Sequence, residues 1–183
     1  MEVQIKETQI PGVMILEWPV YRDERGFFQE IYRRDALLEA GIDLDWKQDN
    51  LSFSAKNVIR GLHYQVIQPQ AKLVQVVRGA VFDVAVDIRR SSPTFGQHVT
   101  IELKAGDGRA FLIPAGLAHG FAALEPDTAF LYKVSALYYA AGERTILWND
   151  PDLRIEWPVS QTSTIISEKD RRGVPFKSAE MFP

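Results

Sequence analysis

The sequence predicts an all-β protein, a double-stranded jelly roll with a few short peripheral helices. Short stretches rich in Val and Ile alternate apolar with polar residues, which is typical of strands with one buried face. Gly and Pro turn signals separate these stretches at regular intervals. Only one segment, residues 34–42, has a convincing helical period. Short strands at this spacing favour a jelly roll or a related sandwich.

The individual elements follow from the alternating pattern. Arg78-Gly79 and RRSSPTFG provide two of the turns between strands. The predicted helix, RDALLEAGI, has Asp35 near its start and Gly41 as a C-terminal cap. The predicted strands are LVQVV (73–77), AVFDVAVDI (80–88), HVTIEL (98–103), AFLIP (110–114) and TAFLYKVSALYY (128–139).

The composition is that of an ordinary globular chain. A length of 183 residues suits one domain with a core that needs no crosslinks, and no repeat or linker interrupts it. Apolar residues make up 46% and charged residues 25%, which excludes disorder and membrane spanning. We therefore predict a single domain over residues 1–183 and no membrane partner.

The start of the sequence and its charges bear on location and partners. Residues 1–12, MEVQIKETQIPG, lack the basic start and apolar core of a secretory signal, so we expect a cytoplasmic protein. The absence of cysteine excludes disulfides and thiolate chemistry. The net charge is -3 with both signs interspersed, so we expect no nucleic acid partner. Any bound anion is then small and held by a few placed cations.

The histidine pattern argues against a metal site. A metal site on a jelly roll is expected to offer two histidines one residue apart, then a carboxylate and a further histidine. Here Gln65 stands two residues after His63, and His98 follows the alternation of its strand as a surface residue. We therefore predict no metal ligand and no cofactor, and the alternative is a site where His63, His119 and a carboxylate meet in space.

The two remaining histidines each allow a functional and a structural interpretation. His119, in IPAGLAHGFAAL, is either a loop histidine that caps a turn or a functional group above a rigid sheet. For His63 the sequence favours function, because Gly61 lets the backbone bend and Arg60 lies on the same stretch. The alternative is a simple bulge in a buried strand.

Proton transfer near neutral pH without metal or thiol points to histidine as the base. Its ordinary pKa of about 6.5 suits that role, and a carboxylate partner would fix its tautomer. The candidate partners are Asp83, Asp87 and Asp170.

Tyrosine and lysine side chains provide further candidates. A tyrosine of FLYKVSALYY, namely Tyr132, Tyr138 or Tyr139, either donates a proton or packs as an ordinary strand aromatic. Lys72 precedes an apolar strand, where it is either the solvated edge of that strand or a cation that stabilises an oxyanion.

Several motifs together resemble one family, the dTDP-4-dehydrorhamnose 3,5-epimerases of nucleotide-sugar metabolism. The runs follow the family order from about residue 20 to residue 170. They are DERGFFQEIY, QDNLSFSAKNVIRGLHYQ, KLVQVVRGAVFDVAVDIRRSSPTFG, FLIPAGLAHGF, FLYKVSALYY and ILWNDPDLRIEWP. The resemblance implies a metal-free, cupin-like jelly roll without cofactor, usually a homodimer. It also implies inversion of C3 and C5 of a dTDP-4-keto-6-deoxy sugar substrate, giving dTDP-4-dehydro-L-rhamnose.

The resemblance assigns catalytic roles to four residues. His63 matches the general base, and Asp170 in the C-terminal segment matches the carboxylate paired with it. Lys72 matches the lysine that stabilises the enolate, and Tyr132 matches the acid that reprotonates the opposite face of the sugar.

Substrate contacts carry over in the same way. Arg25 and Glu30 match positions that bind the nucleotide, in part across the dimer interface, and Phe27 or Tyr138 is expected to stack on thymine. The other expected binding residues are Gln48, Asn50, Arg60, His119, Glu143 and Lys169.

Three rival functions remain at this point. An epimerase that inverts only C3 or only C5 would use the same base and acid. A non-catalytic sugar-nucleotide binding module would need neither of them. A metal-dependent cupin dioxygenase or isomerase would need ligands that this sequence does not display.

Overall fold

Strands make up most of the regular structure in the computed structural model, which describes residues 3–183. Two short α-helices, α1 (Arg34–Glu39) and α2 (Glu168–Arg171), and 3-10 turns at Ala140–Gly142 and Phe176–Ser178 complete it. Neither α-helix is long or apolar enough to cross a membrane. The strands are β1 (Gln4–Glu7), β2 (Met14–Glu17), β3 (Val20–Asp23), β4 (Gly26–Gln29), β5 (Gln48–Ser54), β6 (Val58–Gln65), β7 (Lys72–Arg78), β8 (Ala80–Asp87), β9 (His98–Lys104), β10 (Arg109–Ile113), β11 (Leu117–Ala123), β12 (Thr128–Val134), β13 (Glu143–Thr145) and β14 (Ile165–Ile166).

Two large sheets face each other and enclose the main core. The first sheet has the order β1-β2-β10-β7-β12-β5, and the second has the order β13-β6-β11-β8-β9 with β14 added beside β6. All of these pairs are antiparallel except β14 with β6. Phe111 and Phe130 of the first sheet meet Leu103 and Phe121 of the second in one buried cluster. The predicted all-β jelly roll with short peripheral helices is confirmed.

The C-terminal segment covers the outer face of the second sheet. Val84 and Val86 point outward from β8, yet they are fully buried, because Leu153 and Ala179 of the C-terminal segment pack over them. This explains why β8 reads as a nearly continuous apolar run. The covering also places α2 against β6, at one end of the space between the sheets.

The predicted strands agree with β7 to β10 to within a residue or two, whereas the predicted strand 128–139 is too long. β12 ends at Val134. Beyond it the backbone bonds to glutamine side chains instead of to a neighbouring strand, since Gln70 donates to the Ala136 carbonyl at 2.9 Å and Gln65 accepts from the Tyr139 N–H at 2.8 Å. Amide side chains from the end of β6 and from the loop before β7 thus compete successfully with the sheet for these groups.

The predicted helix is present as α1, and Gly41 ends it as expected. Gly41 has φ +79°, and its N–H donates to the Leu38 carbonyl at 2.9 Å, while the Ile42 N–H donates to the Leu37 carbonyl at 2.8 Å. These two bonds form a Schellman motif, for which glycine is the preferred residue. Asp35 lies in the first turn and pairs with Arg33 at 2.8 Å.

A β-bulge in β6 sets the direction of the Arg60 and His63 side chains. His63 lies opposite His119, but Arg60 lies opposite Phe121, so three steps along β6 match two along β11. The extra residue breaks the alternation and turns Arg60 and His63 toward the same face. Gly61, with φ +132°, occupies the bulge, and a Cβ there would lie 2.5 Å from the Gly120 Cα. The bulge that the sequence offered as the structural interpretation therefore exists, and it orients His63.

We expect Gly61→Ala to lower the free energy of unfolding more than Gly26→Ala. Both glycines have unusual φ angles, +132° and +126°, but a Cβ at Gly26 meets nothing within 4 Å. The conformational cost alone is about 1–3 kcal/mol, so Gly26→Ala measures that part. Urea unfolding of both variants separates the steric contribution, and equal losses would show that the approach of β6 to β11 tolerates a methyl group.

Candidate active site

A cavity of about 390 Å³ opens between the two sheets at the end where α2 lies. Lys72 and Tyr132 project into it from the first sheet, and His63 and His119 project from the second. Of the predicted binding residues it is also lined by Gln48, Asn50, Arg60, Tyr138, Glu143 and Lys169. The structure therefore brings most of the predicted site residues into one place.

Strand alternation explains which residues of the first sheet reach the cavity. On β5, Gln48, Asn50 and Ser52 face inward, while the residues between them are exposed. On β12, Phe130 and Tyr132 face inward in the same way. The QDN motif thus contributes its first and third residues, and Ser52 continues the same face.

His63 forms a short hydrogen bond with Asp170, from Nε2 to Oδ1 at 2.6 Å. The Asp170 side chain is 3% exposed, whereas that of His63 is 26% exposed at the cavity wall. The second oxygen of Asp170 accepts from the Gly61 N–H at 3.3 Å, so the bulge also anchors the carboxylate. The Ser167 hydroxyl caps α2 by accepting from the Asp170 N–H at 3.1 Å.

The charge state of this pair suits a base. Burial alone would raise the pKa of Asp170, but the hydrogen bonds from His63 and Gly61 outweigh it and hold that pKa below its ordinary value. The carboxylate is ionised and can only accept, so His63 carries its proton on Nε2. In the neutral imidazole the lone pair is then on Nδ1, and the carboxylate stabilises the imidazolium that forms when a proton is taken up.

Lys72 is buried in the wall of the cavity. The interpretation of Lys72 as a solvated strand edge is wrong, because the residue is only 8% exposed and β7 lies inside the sheet between β10 and β12. Its Nζ donates to the His63 carbonyl at 3.3 Å, across the gap between the sheets. Burial lowers the pKa of Lys72 to about 8, although the charges of Asp83 and Glu143 act against this. An ammonium held in this way can stabilise a nearby oxyanion.

Tyr132 lies on the sheet opposite to His63 and is half-buried. Burial raises its pKa above the ordinary value. The phenol therefore stays protonated near neutral pH and can act as a donor. The two side chains reach the cavity from opposite walls, which is the arrangement that proton transfer on two faces of a substrate requires.

His119 is a strand residue, and the interpretation of it as a turn-capping loop histidine is wrong. It lies in β11, 7% exposed, after the tight turn that Gly116 makes with φ +93°. Its Nε2 pairs with Asp83 Oδ1 at 2.9 Å. Burial lowers the pKa of His119, and the neighbouring Asp83 only partly compensates.

Asp87, the third carboxylate named as a possible histidine partner, stabilises a turn instead. It accepts hydrogen bonds from Arg89, Ser92 and Thr94 and so holds the turn after β8, away from the cavity. His98 also lies away from the cavity, and it is half-buried rather than a surface residue. Burial lowers its pKa.

Cations and an aromatic ring surround the mouth of the cavity. Glu143 accepts from Lys169 Nζ at 2.8 Å and from the Tyr138 hydroxyl at 3.0 Å. Arg60 donates to the Ser54 hydroxyl and to the Phe53 carbonyl. Arg60 and Lys169 remain exposed, so both can meet an anionic group that enters here.

Comparison with known proteins shows similarity to one family along almost the whole chain. The sequence profile of the family described as dTDP-4-dehydrorhamnose 3,5-epimerase matches residues 7–178. The chain belongs to this family. The dTDP-4-dehydrorhamnose 3,5-epimerase of Pseudomonas aeruginosa is 51% identical over 175 residues, which cover 95% of this chain and 96% of that protein.

Solved structures of related epimerases share the fold of this chain. One is dTDP-6-deoxy-D-glucose-3,5-epimerase from Legionella pneumophila in complex with dTDP-4-keto-L-rhamnose, with a TM-score of 0.93, 44% identity and coverage of 98% of this chain and 95% of that chain. Another is a 3'-monoepimerase from Streptomyces bikiniensis in complex with dTDP-quinovose, with a TM-score of 0.87, 32% identity and coverage of 97% and 88%. The fold therefore does not distinguish double from single epimerases.

Three predicted binding residues of this epimerase chain lie outside the cavity. Arg25 and Phe27 belong to the exposed hairpin of β3 and β4, where Arg25 pairs with Asp23 at 2.5 Å. Glu30 follows the hairpin and pairs with Arg33 at 3.4 Å. A single chain does not bring these residues to its own cavity.

Other cavity residues of the epimerase chain were missed from the sequence. Ser52 was detectable from alternation with Asn50. Phe121 and Phe130 give the cavity an apolar part and stack at 4.3 Å between ring centroids, but both are apolar residues of mostly apolar strands, so the sequence did not single them out. Gln65 is buried and donates to the Gln68 carbonyl at 2.8 Å, so it supports a loop. Within residues 3–183 no group of three or more His, Cys, Asp or Glu side chains is placed to hold a metal.

Proposed function

We propose that this chain inverts C3 and C5 of dTDP-4-dehydro-6-deoxy-D-glucose, giving dTDP-4-dehydro-L-rhamnose, with His63 as the base and Tyr132 as the acid. The observation that carries the assignment of roles is the placement of the His63–Asp170 pair and Tyr132 on opposite walls of one cavity. The chemistry itself follows from family membership, since the matched relatives are named 3,5-epimerases.

The ketone at C4 makes the reaction possible. It acidifies the hydrogens on both neighbouring carbons, and removal of either one moves negative charge onto the ketone oxygen. In the proposed mechanism His63 takes the proton, and Asp170 stabilises the resulting imidazolium. The Lys72 ammonium stabilises the enolate oxygen, a kind of contact whose loss costs about 3–4 kcal/mol.

Inversion requires a proton donor on the other face of the ring. Tyr132 fits this role because it is protonated at neutral pH and reaches the cavity from the sheet opposite to His63. After each inversion the His63 imidazolium releases its proton to solvent and the Tyr132 phenolate takes one up, both through the open mouth, so base and acid return to their starting states. Repetition at the second carbon completes the double epimerisation.

The mouth of the cavity is suited to the nucleotide diphosphate. Arg60 and Lys169 supply positive charge for the phosphates, and Lys169 would exchange its bond to Glu143 for one to a phosphate oxygen. Tyr138 is 55% exposed, so its ring is free to stack on thymine. Binding energy gained here holds the sugar in register at the reacting carbons.

A homodimer would bring the remaining binding residues into use. Arg25, Phe27 and Glu30 lie outside the cavity of their own chain, so in this proposal they contact the nucleotide in the cavity of a second copy. The outer face of the edge strand β5 supports a partner, because Leu51 and Phe53 are 56% and 61% exposed there. The cytoplasmic location and the absence of a nucleic acid partner stay predictions from the sequence.

His63→Ala should abolish incorporation of deuterium at C3 and C5 when the substrate is incubated in heavy water. Removal of a general base costs roughly 100- to 10,000-fold in rate. NMR of the recovered sugar measures the exchange at each carbon. His98→Ala is the matched control, since His98 lies outside the cavity and its loss should leave exchange intact. Undiminished exchange in His63→Ala would assign the base to another group, and wild-type exchange at a single carbon would indicate a single epimerase.

Tyr132→Phe should separate proton removal from proton delivery. Exchange should continue, because His63 still removes and returns the proton on one face, while formation of the inverted product falls roughly 100-fold or more. Tyr139→Phe, close to the mouth but outside the cavity lining, should epimerise normally. Normal epimerisation by Tyr132→Phe would show that water or another residue donates the proton.

Mixing inactive variants tests the dimer. If Arg25 serves the partner's cavity, subunits of Arg25→Ala and His63→Ala combine to give one intact site in each mixed dimer, so random exchange should restore about a quarter of the sites. His63→Ala mixed with Tyr132→Phe should restore none, because both residues serve the same cavity. Absence of recovery in the first mixture, with subunit exchange verified by mass, would place Arg25 elsewhere.

A further inference from the structure

Gln65, the last residue of β6, is a buried glutamine whose side chain binds the backbone of two loops. It is 4% exposed. Its Nε2 donates to the Gln68 carbonyl at 2.8 Å and to the Leu137 carbonyl at 3.3 Å, and its Oε1 accepts from the Tyr139 N–H at 2.8 Å. Both amide hydrogens and the amide oxygen are therefore in use. Loss of this side chain would leave three backbone groups without their partner.

Segment 137–139 depends on these hydrogen bonds because its own side chains are poorly buried. Leu137, Tyr138 and Tyr139 are 58%, 55% and 43% exposed. A segment with so few buried apolar contacts has little stability of its own. Gln65 holds its first and third residues, and Gln48 Oε1 accepts from the N–H of the second, Tyr138, at 3.1 Å. Two glutamine side chains thus fix three successive residues.

The two glutamines reach segment 137–139 from facing sheets. Gln48 lies on β5 of the first sheet and Gln65 on β6 of the second, and both line the cavity. The far end of the Tyr138 side chain is also held, because its hydroxyl donates to Glu143 Oε2 at 3.0 Å. The ring of Tyr138 is therefore fixed through its backbone and through its hydroxyl, at the mouth of the cavity.

We propose that Gln65 is a positioning residue for the nucleotide base, which holds Leu137 and Tyr139 and so presents the ring of Tyr138 for stacking on thymine. This inference rests on the proposed function, in which Tyr138 contacts the base. A ring that is already ordered loses less conformational freedom when the nucleotide binds. Gln65 thereby contributes to the affinity for the base and leaves the affinity for the diphosphate to Arg60 and Lys169.

The test is Gln65→Met, which keeps a side chain of similar length but removes all three hydrogen bonds. Removal of a ring that stacks on a base weakens binding about 5- to 150-fold, so we expect a roughly 5- to 10-fold loss of dTDP affinity when the ring remains but is no longer held. Affinity for inorganic pyrophosphate should be unchanged. Calorimetric titration measures both affinities, and in the epimerase reaction the loss should fall on KM more than on kcat.

A double-mutant cycle with Tyr138→Ala shows whether Gln65 acts through the ring. If it does, adding Gln65→Met to Tyr138→Ala should cost no further dTDP affinity. Thr128→Val is the matched control, because Thr128 is also buried and its hydroxyl donates to the Glu125 carbonyl at 2.8 Å, in a turn outside the cavity lining. This control should bind dTDP and pyrophosphate as the wild type does.

Hydrogen exchange tests the positioning without any ligand. In the wild type the amides of Tyr138 and Tyr139 should exchange slowly, although their side chains are exposed, because both N–H groups bind glutamine oxygens. Gln65→Met should speed exchange at Tyr139. NMR of the free protein measures both rates, and the wild-type measurement remains available if Gln65→Met fails to fold.

Unchanged dTDP affinity in Gln65→Met would overturn the inference, as would equal losses for dTDP and pyrophosphate, which would indicate general damage to the fold. Additive losses in the double variant, or fast exchange of both tyrosine amides in the wild type, would also contradict it. If the wild type bound dTDP but failed to exchange the C3 and C5 hydrogens of the sugar, the proposed reaction would fall. The affinities would still report whether Gln65 positions Tyr138.

Discussion

The approach of two glycine backbones, Gly61 of β6 and Gly120 of β11, is the constraint on which the site depends. A Cβ on Gly61 would lie 2.5 Å from the Gly120 Cα, and one on Gly120 would lie 2.8 Å from the Arg60 carbonyl oxygen. Because the strands touch here, β6 accommodates an extra residue, which turns Arg60 and His63 to one side. The same irregularity leaves the Gly61 N–H to bind Asp170. One bulge thus orients the imidazole and anchors its carboxylate.

The cavity uses the pairing of imidazole and carboxylate twice, in different surroundings. His63 is partly exposed at the cavity wall, and its partner Asp170 is surrounded by hydrogen-bond donors that hold the pKa of the carboxyl below its ordinary value. His119 and Asp83 are almost completely buried, and burial disfavours the charged imidazole. The first pair therefore suits the proposed proton transfer, and the second suits a neutral imidazole held in one place.

Local patterns were sufficient for the all-β class, for β7 to β10, for the start of β12 and for the helix that ends at Gly41, because strand alternation and a helix cap depend on neighbouring residues. The site could not be predicted from local patterns, because its contacts join residues that lie far apart in the sequence. Asp170 lies 107 residues from His63, and only the family resemblance, not spacing, selected it among three carboxylates. The burial of Lys72 depends on which strands flank β7, which its own sequence does not reveal. The end of β12 at Val134 was missed because its competitors are glutamine side chains from elsewhere in the chain.

The contacts of these glutamines should make one part of the cavity mouth insensitive to ionic strength. Segment 135–139 at the mouth of the cavity is held by hydrogen bonds from the amide side chains of Gln65 and Gln70. These side chains are uncharged, so dissolved ions do not screen their hydrogen bonds. The bridge between Glu143 and Lys169 at the same opening is partly exposed and weakens as ionic strength rises. At high salt, segment 135–139 would therefore keep its conformation while the ion pair between Glu143 and Lys169 weakened. Salt should then change the affinity for the nucleotide far more than the shape of the cavity.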